Sequence, residues 1–134
     1  MSWQSRLNIA FGLISNYSLA WHDSGTFCAN TKTGGAHACM RHAEGGESKF
    51  AANNGLDVAR ELLSSIKDGV AKDMSNADLW VLAAVVATKE MGGPDIKFRL
   101  GRTDAENHEA SVEDGRLPDA LKGADHLREI FGRM

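Results

Sequence analysis

Trp21 and His22 stand side by side near the start of the chain, in the stretch SLAWHDSGTF. Histidine titrates near neutral pH and serves as general acid or base when its ring is held in position. The pair is open to two readings: a site for proton transfer, or a core tryptophan beside a buried, hydrogen-bonded imidazole. A second set of chemistry-bearing residues lies just downstream. Cys28, His37, Cys39 and His42 offer four ligand side chains within one loop, three of them in HACMRH, a donor set that suits zinc. Their spacing departs from the common zinc patterns, and two free thiols with two surface imidazoles is the competing reading. The acidic run from Asp104 to Asp114 lacks calcium-loop spacing and reads as a solvated connector.

Four helical patterns must position these side chains. The first covers roughly Gln4 to His22, where Leu7, Phe11, Ile14, Ser18 and Trp21 recur on one face. A glycine-rich loop without period follows from Asp23 to Glu47. The second helix is expected from Ser48 to Lys67, with Ala52, Leu56, Ala59, Leu63 and Ile66 as its apolar stripe and Asn53 at the stripe's edge, facing inward. Ser75 and Asn76 are N-cap candidates for the third, Asp78 suits its positive end, and the Gly92-Gly93-Pro94 run stops it. Between them Leu79 to Ala87 carries no polar residue, the pattern of a helix buried all round. Three other helices barely enclose such an element, so exposed apolar surface needing a cover is expected. A polar connector, Thr103 to Pro118, leads to a last helix near Lys122 to Phe131.

At 134 residues the chain is expected to form one domain, residues 1–134. Hydrophobic residues make up 43%, charged residues 25%, and the formal charge is -3. That balance gives no basic excess to attract nucleic acid or an anionic membrane, and no apolar run is long enough to span a bilayer. Two cysteines make no disulfide framework, and the N-terminal residues show no secretory signal; a reducing, intracellular compartment is the simplest expectation.

Beyond single motifs, AWHDSGTF, TKTGG, FAANNGLDVAR, ADLWVLAAVVA, GGP, GR at Gly101-Arg102 and GRLPDALKGADHLREIFG occur in that order. This series resembles the class I haem peroxidases, the ascorbate peroxidase and cytochrome c peroxidase family, over nearly the whole chain. The resemblance implies an all-α fold, of which the chain matches the N-terminal, distal half. It implies that His22 corresponds to the distal histidine that takes a proton from bound peroxide and returns it to the leaving oxygen, and Trp21 to the distal tryptophan. Asn53 then corresponds to the asparagine that holds the other imidazole nitrogen, and Glu47 to the acid supporting that pair.

Departures from the family pattern set the functional expectation. The family's catalytic arginine, four residues before the distal histidine, is replaced by Ser18, which carries no charge. Arg6 lies too far back on the helix to stand in, and Arg41 is in the loop. The lysine and cysteine that the family uses to bind ascorbate fall at Ala10 and Gly12. The family's axial histidine comes after the equivalent of REIFG, and His126 within GADHLREIFG matches a structural histidine. The resemblance with these departures implies a degenerate peroxidase, a pseudoenzyme with no resident cofactor, serving as a structural subunit of a hetero-oligomeric assembly. Its protein partner would cover the missing proximal half. The alternative is an impaired haem peroxidase, with haem b held jointly with a partner that supplies the axial ligand. By analogy with the family, a mitochondrial assembly is the expected host.

Overall fold

The computed structural model describes the backbone of residues 3–134 and the side chains from residue 11 onward, Val70 excepted. Its helices are α1 Trp3–Ser24, α2 Asp57–Val70, α3 Asn76–Glu90 and α4 Ala124–Gly132, with short 3-10 turns in the connectors. Among the described residues the only strand-like feature is an isolated bridge between Cys28 and Thr33. The all-α expectation holds. The side chains of Arg6, Leu7 and Ala10 lie outside the described residues.

Among the described residues the N-terminal end of α3 is a heavily tied helix end. Ser75 caps it, its hydroxyl accepting from the Asp78 N–H at 3.0 Å. The Asp104 carboxylate accepts from the Asn76 and Ala77 backbone N–H groups at 2.9 and 2.8 Å, and from Asn76 Nδ2 at 2.7 Å. Free N–H groups at a helix start carry partial positive charge, so a carboxylate there satisfies donors and dipole together. Asp104 is thus part of the helix start, a correction to the reading of residues 104–114 as solvated throughout. Asp78, buried in the first turn, accepts from the Gly101 N–H at 2.7 Å and the Arg102 guanidinium at 2.8 Å, pinning the connector against the helix.

α3 packs chiefly on α1, and α2 lies against both. The core joins Leu19 of α1 and Met40 of the loop to Leu56, Ala59 and Leu63 along α2 and to Leu79 and Trp80 of α3. Full burial of a side chain such as Leu63 contributes about 1.5–3 kcal/mol.

Three expectations are corrected. The stripe containing Phe11, Ile14, Ser18 and Trp21 is not the buried face of α1, since Phe11 is 58% and Ile14 60% exposed. Burial falls instead on Ser15, Leu19 and Asp23, the side of α1 that its neighbours cover. The segment Ser48–Asn53 is not the first part of α2: it forms 3-10 turns, Gly55 turns the chain at φ +84°, and the helix starts at Asp57. Ala52 and Ile66 accordingly drop out of the buried stripe. Finally, α3 is not buried all round: its buried residues cluster in the first turns with Ala87 further on, and Val86 is 50% exposed.

Candidate functional site

His22 sits on the last turns of α1, half-buried, and Asn53 is buried in the 3-10 turn Ala51–Asn53. Asn53 Nδ2 donates to the Glu47 backbone carbonyl at 2.7 Å, which turns its amide oxygen toward His22. The His22 Nδ1 to Asn53 Oδ1 distance is 2.8 Å, and an amide oxygen only accepts, so the network assigns the ring proton to Nδ1. Among the described residues Nε2 has no protein partner. Its lone pair is free to take a proton, the arrangement a general base requires.

The support for Asn53 comes from the main chain of Glu47, a correction to the expectation that its acid group supports the pair. The Glu47 carbonyl also receives the Phe50 N–H at 3.2 Å, and its own N–H donates to Ser111 Oγ at 2.9 Å. The carboxylate faces away, toward His37.

Trp21 stacks on Phe131 of α4, with ring centroids 5.7 Å apart and planes 22° from parallel. Gly25 is required beneath it: a Cβ there would meet the Trp21 carbonyl at 2.8 Å and its ring at 3.3 Å. The indole lines an apolar groove of about 300 Å³ with Tyr17 and Ala20 of α1, Val81 and Val85 of α3, and Ile96.

Ser18 lies one helical turn before His22, where no charge is available. Arg41 donates to the Ala38 carbonyl at 3.3 Å, so it does not stand in. Arg102 borders the groove beside Trp21, but Asp78 at 2.8 Å and the Arg99 carbonyl at 2.7 Å hold its guanidinium. Arg133 is spent on the Gly25, Thr26 and Phe27 carbonyls.

The four loop ligands do not converge as one set. Cys28 pairs through its backbone with Thr33, and His42 Nε2 faces the Ala105 carbonyl at 3.1 Å. His37 and Cys39 do meet, joined by Glu47, with ligand atoms all within 4.8 Å of one another. Asp23 borders this cluster, its Oδ1 being 3.6 Å from His37 Nδ1. Burial pushes the Glu47 carboxyl up to about 7 and raises Asp23 as well. The facing Asp23 carboxylate raises His37 against the opposing effect of burial. Sequence reasoning missed Asp23 and Ser111, and the His37–Glu47 approach spans a ten-residue loop without period; the WHD triplet was the only local signal.

The described residues fit the distal side of a haem pocket in one respect: an oriented imidazole with a free nitrogen beside a half-exposed indole. The other histidines are engaged elsewhere, His42 on Ala105, His108 near Glu44 at 3.7 Å, His37 in the buried cluster, and His126 accepting from the Asp119 N–H at 3.0 Å. No second imidazole among the described residues is left over as an axial ligand.

The family profile described as peroxidase matches residues 4–134. Cytosolic L-ascorbate peroxidase 2 of Arabidopsis thaliana is 50% identical over 119 residues, covering 87% of this chain and 44% of that protein. Mitochondrial cytochrome c peroxidase of Emericella nidulans is 50% identical over 117 residues, covering 87% of this chain and 31% of the relative. Cytosolic L-ascorbate peroxidase 1 of Oryza sativa subsp. indica is 46% identical over 114 residues, covering 85% and 43%. The chain thus spans less than half the length of these relatives. No described helix is long and apolar enough to cross a membrane.

Proposed function

From the premise that this chain belongs to the peroxidase family, and within it to the class I haem peroxidases, we propose that it is a catalytically degenerate distal-side unit acting as a structural subunit of a larger protein assembly. The observation that carries this reading is Ser18, an uncharged hydroxyl on α1 one helical turn before His22, at the position where the family has arginine. Loss of one preorganised electrostatic donor at a reacting oxygen costs on the order of 100-fold or more in rate. The exposed apolar side chains of Phe11, Ile14 and Tyr17 on α1 and Val86 on α3 support the subunit role, as surface suited to burial against protein. A proximal-side polypeptide is the proposed cover, and a mitochondrial assembly the proposed host.

A second reading is favoured by one contact, the 2.8 Å His22–Asn53 hydrogen bond. An imidazole with Nδ1–H held and Nε2 free is the state that accepts a proton, which an impaired but real peroxidase would retain. Haem, when bound, supplies the iron that takes the peroxide and carries its oxidising equivalents. His22 would then move a proton at Nε2, Asn53 would fix the ring, Trp21 would wall the pocket and keep water out, and Ser18 would offer one neutral hydrogen bond.

An absorption spectrum of the native assembly, with a pyridine assay for haem, separates the two. The favoured reading expects no Soret band, and His22→Ala then alters stability alone. A Soret band, with peroxide turnover that falls steeply in His22→Ala and rises on the order of 100-fold in Ser18→Arg, overturns it in favour of the second.

A further inference from the structure

We propose that His37, Cys39 and Glu47 form a divalent-metal site of the zinc class, with Asp23 orienting His37 from behind. The set differs from the one expected from the loop sequence: Cys28 and His42 are excluded, and a carboxylate takes part. It is independent of haem and of His22.

The donor atoms of His37, Cys39 and Glu47 lie within 4.8 Å of one another. A tetrahedral zinc with nitrogen, oxygen and sulfur ligands needs about 3.3–3.8 Å between them, so side-chain rotations of about an ångström close the site. The imidazole is aimed correctly. Its Nε2 faces Glu47 Oε1 at 3.9 Å, while Nδ1 faces Asp23 Oδ1 at 3.6 Å. Asp23 is itself fixed, because its Oδ2 accepts the Ala38 N–H at 3.1 Å. Carboxylate, imidazole and metal in that order is the usual way a protein sets the tautomer of a metal-bound histidine.

The independent sign of a ligand is the set of orphaned atoms. Glu47 is fully buried, yet neither carboxylate oxygen has a hydrogen-bond partner; Asp23 Oδ1 and both His37 nitrogens are likewise buried and unsatisfied. Orphaned buried carboxylates are costly, and native structures rarely leave them. A proton shared directly between these groups would need about 2.6–3.2 Å, and the observed gaps exceed that. The 3.9 Å gap from His37 Nε2 to Glu47 Oε1 is too long for a hydrogen bond but suits an ion held between the two, and the rotation that closes the site must also bring Nδ1, 3.6 Å from Asp23 Oδ1, into hydrogen-bond reach. Cys39 completes the argument. It is fully buried beside Ser111 Oγ at 3.2 Å, and thiolate together with imidazole and carboxylate selects a borderline cation over magnesium or calcium. A bidentate Glu47 or a water fills the fourth position.

The test is titration of the chelator-stripped full chain with Zn²⁺ and with Co²⁺. One equivalent of Co²⁺ should bind with tetrahedral d–d bands and a thiolate-to-cobalt charge-transfer band. Cys39→Ser should abolish that band while Cys28→Ser and His22→Ala retain it, and Asp23→Asn should weaken binding about 10–100-fold. In the unaltered chain the zinc K-edge absorption spectrum should show one sulfur among the ligands, a readout that needs no variant to fold. Absence of stoichiometric uptake, an octahedral cobalt spectrum without the thiolate band, or a zinc shell of nitrogen and oxygen alone would overturn the proposal in favour of a buried water or proton network.

Discussion

At the scale of single residues, the His22–Asn53 bond is where packing and chemistry coincide. Asn53 accepts from the imidazole and donates to the Glu47 carbonyl, so its loss orphans two groups at once. Asn53→Ala should cost about 1–3 kcal/mol of stability, read by denaturant unfolding. The same variant should release the ring from its Nδ1–H tautomer, visible in the ¹⁵N shifts of His22. Unchanged shifts would mean that another group fixes the ring. The pairing of His22 with Asn53 was legible in the sequence through the family resemblance, and the geometry agrees with it. The source of Asn53's own support was not legible, since a backbone carbonyl leaves no mark in a sequence; the nearby acid, Glu47, was the visible candidate.

At the scale of elements, legibility followed the kind of signal. Caps are local chemistry, so Ser75 at the start of α3 and the Gly92-Gly93-Pro94 stop were read correctly. Stripes are relational. Periodicity identified an apolar face on α1 but could not say which side of the helix the neighbours cover, and Leu19 rather than Ile14 went inside. The early start expected for α2 failed because Asn54-Gly55 is a turn signal that the apolar spacing of Ala52 and Leu56 overrode. The acidic clamps on α3 yield a pH prediction. Burial alone would raise Asp78 and Asp104, but backbone N–H groups outweigh it in both, aided by Arg102 at Asp78 and Asn76 at Asp104, and hold the carboxyls below their ordinary range. A depressed folded pKa contributes stability above the unfolded value, near 3.9, and loses it as pH falls through the folded value. Wild type should therefore lose stability below about pH 4 more steeply than Asp104→Ala. That variant should already be weaker by about 1–2 kcal/mol at neutral pH. Parallel acid-denaturation curves for the two would refute the clamp.

At the scale of the whole molecule, apolar side chains remain outside on all four helices: Phe11, Ile14 and Tyr17 on α1, Val58, Leu62 and Ile66 on α2, Val86 on α3, Leu127 and Phe131 on α4. The sequence foresaw exposed apolar surface from the all-apolar α3, although that surface is spread over all four helices. Its location depends on which face of each helix meets its neighbours, a fact of assembly that no single segment encodes. Phe11→Lys with Ile14→Lys should change stability by less than about 0.5 kcal/mol, because the side chains are already solvated. It should sharply reduce hydrophobic-dye binding and self-association measured by light scattering. A large loss of stability would instead place these residues in a core.

The route by which Glu47 anchors Asn53 also bears on how this site drifts under mutation. The anchor is a carbonyl, which every amino acid possesses, so substitution of the Glu47 side chain leaves the orientation of His22 intact. The vulnerable position is its neighbour. Gly46 stands at φ +59°, and a Cβ there would run into Ser111 Oγ and approach the His108 carbonyl at 2.7 Å. Inheritance of the proton-accepting geometry thus hangs on the absence of one methyl group at residue 46, whatever residue 47 becomes.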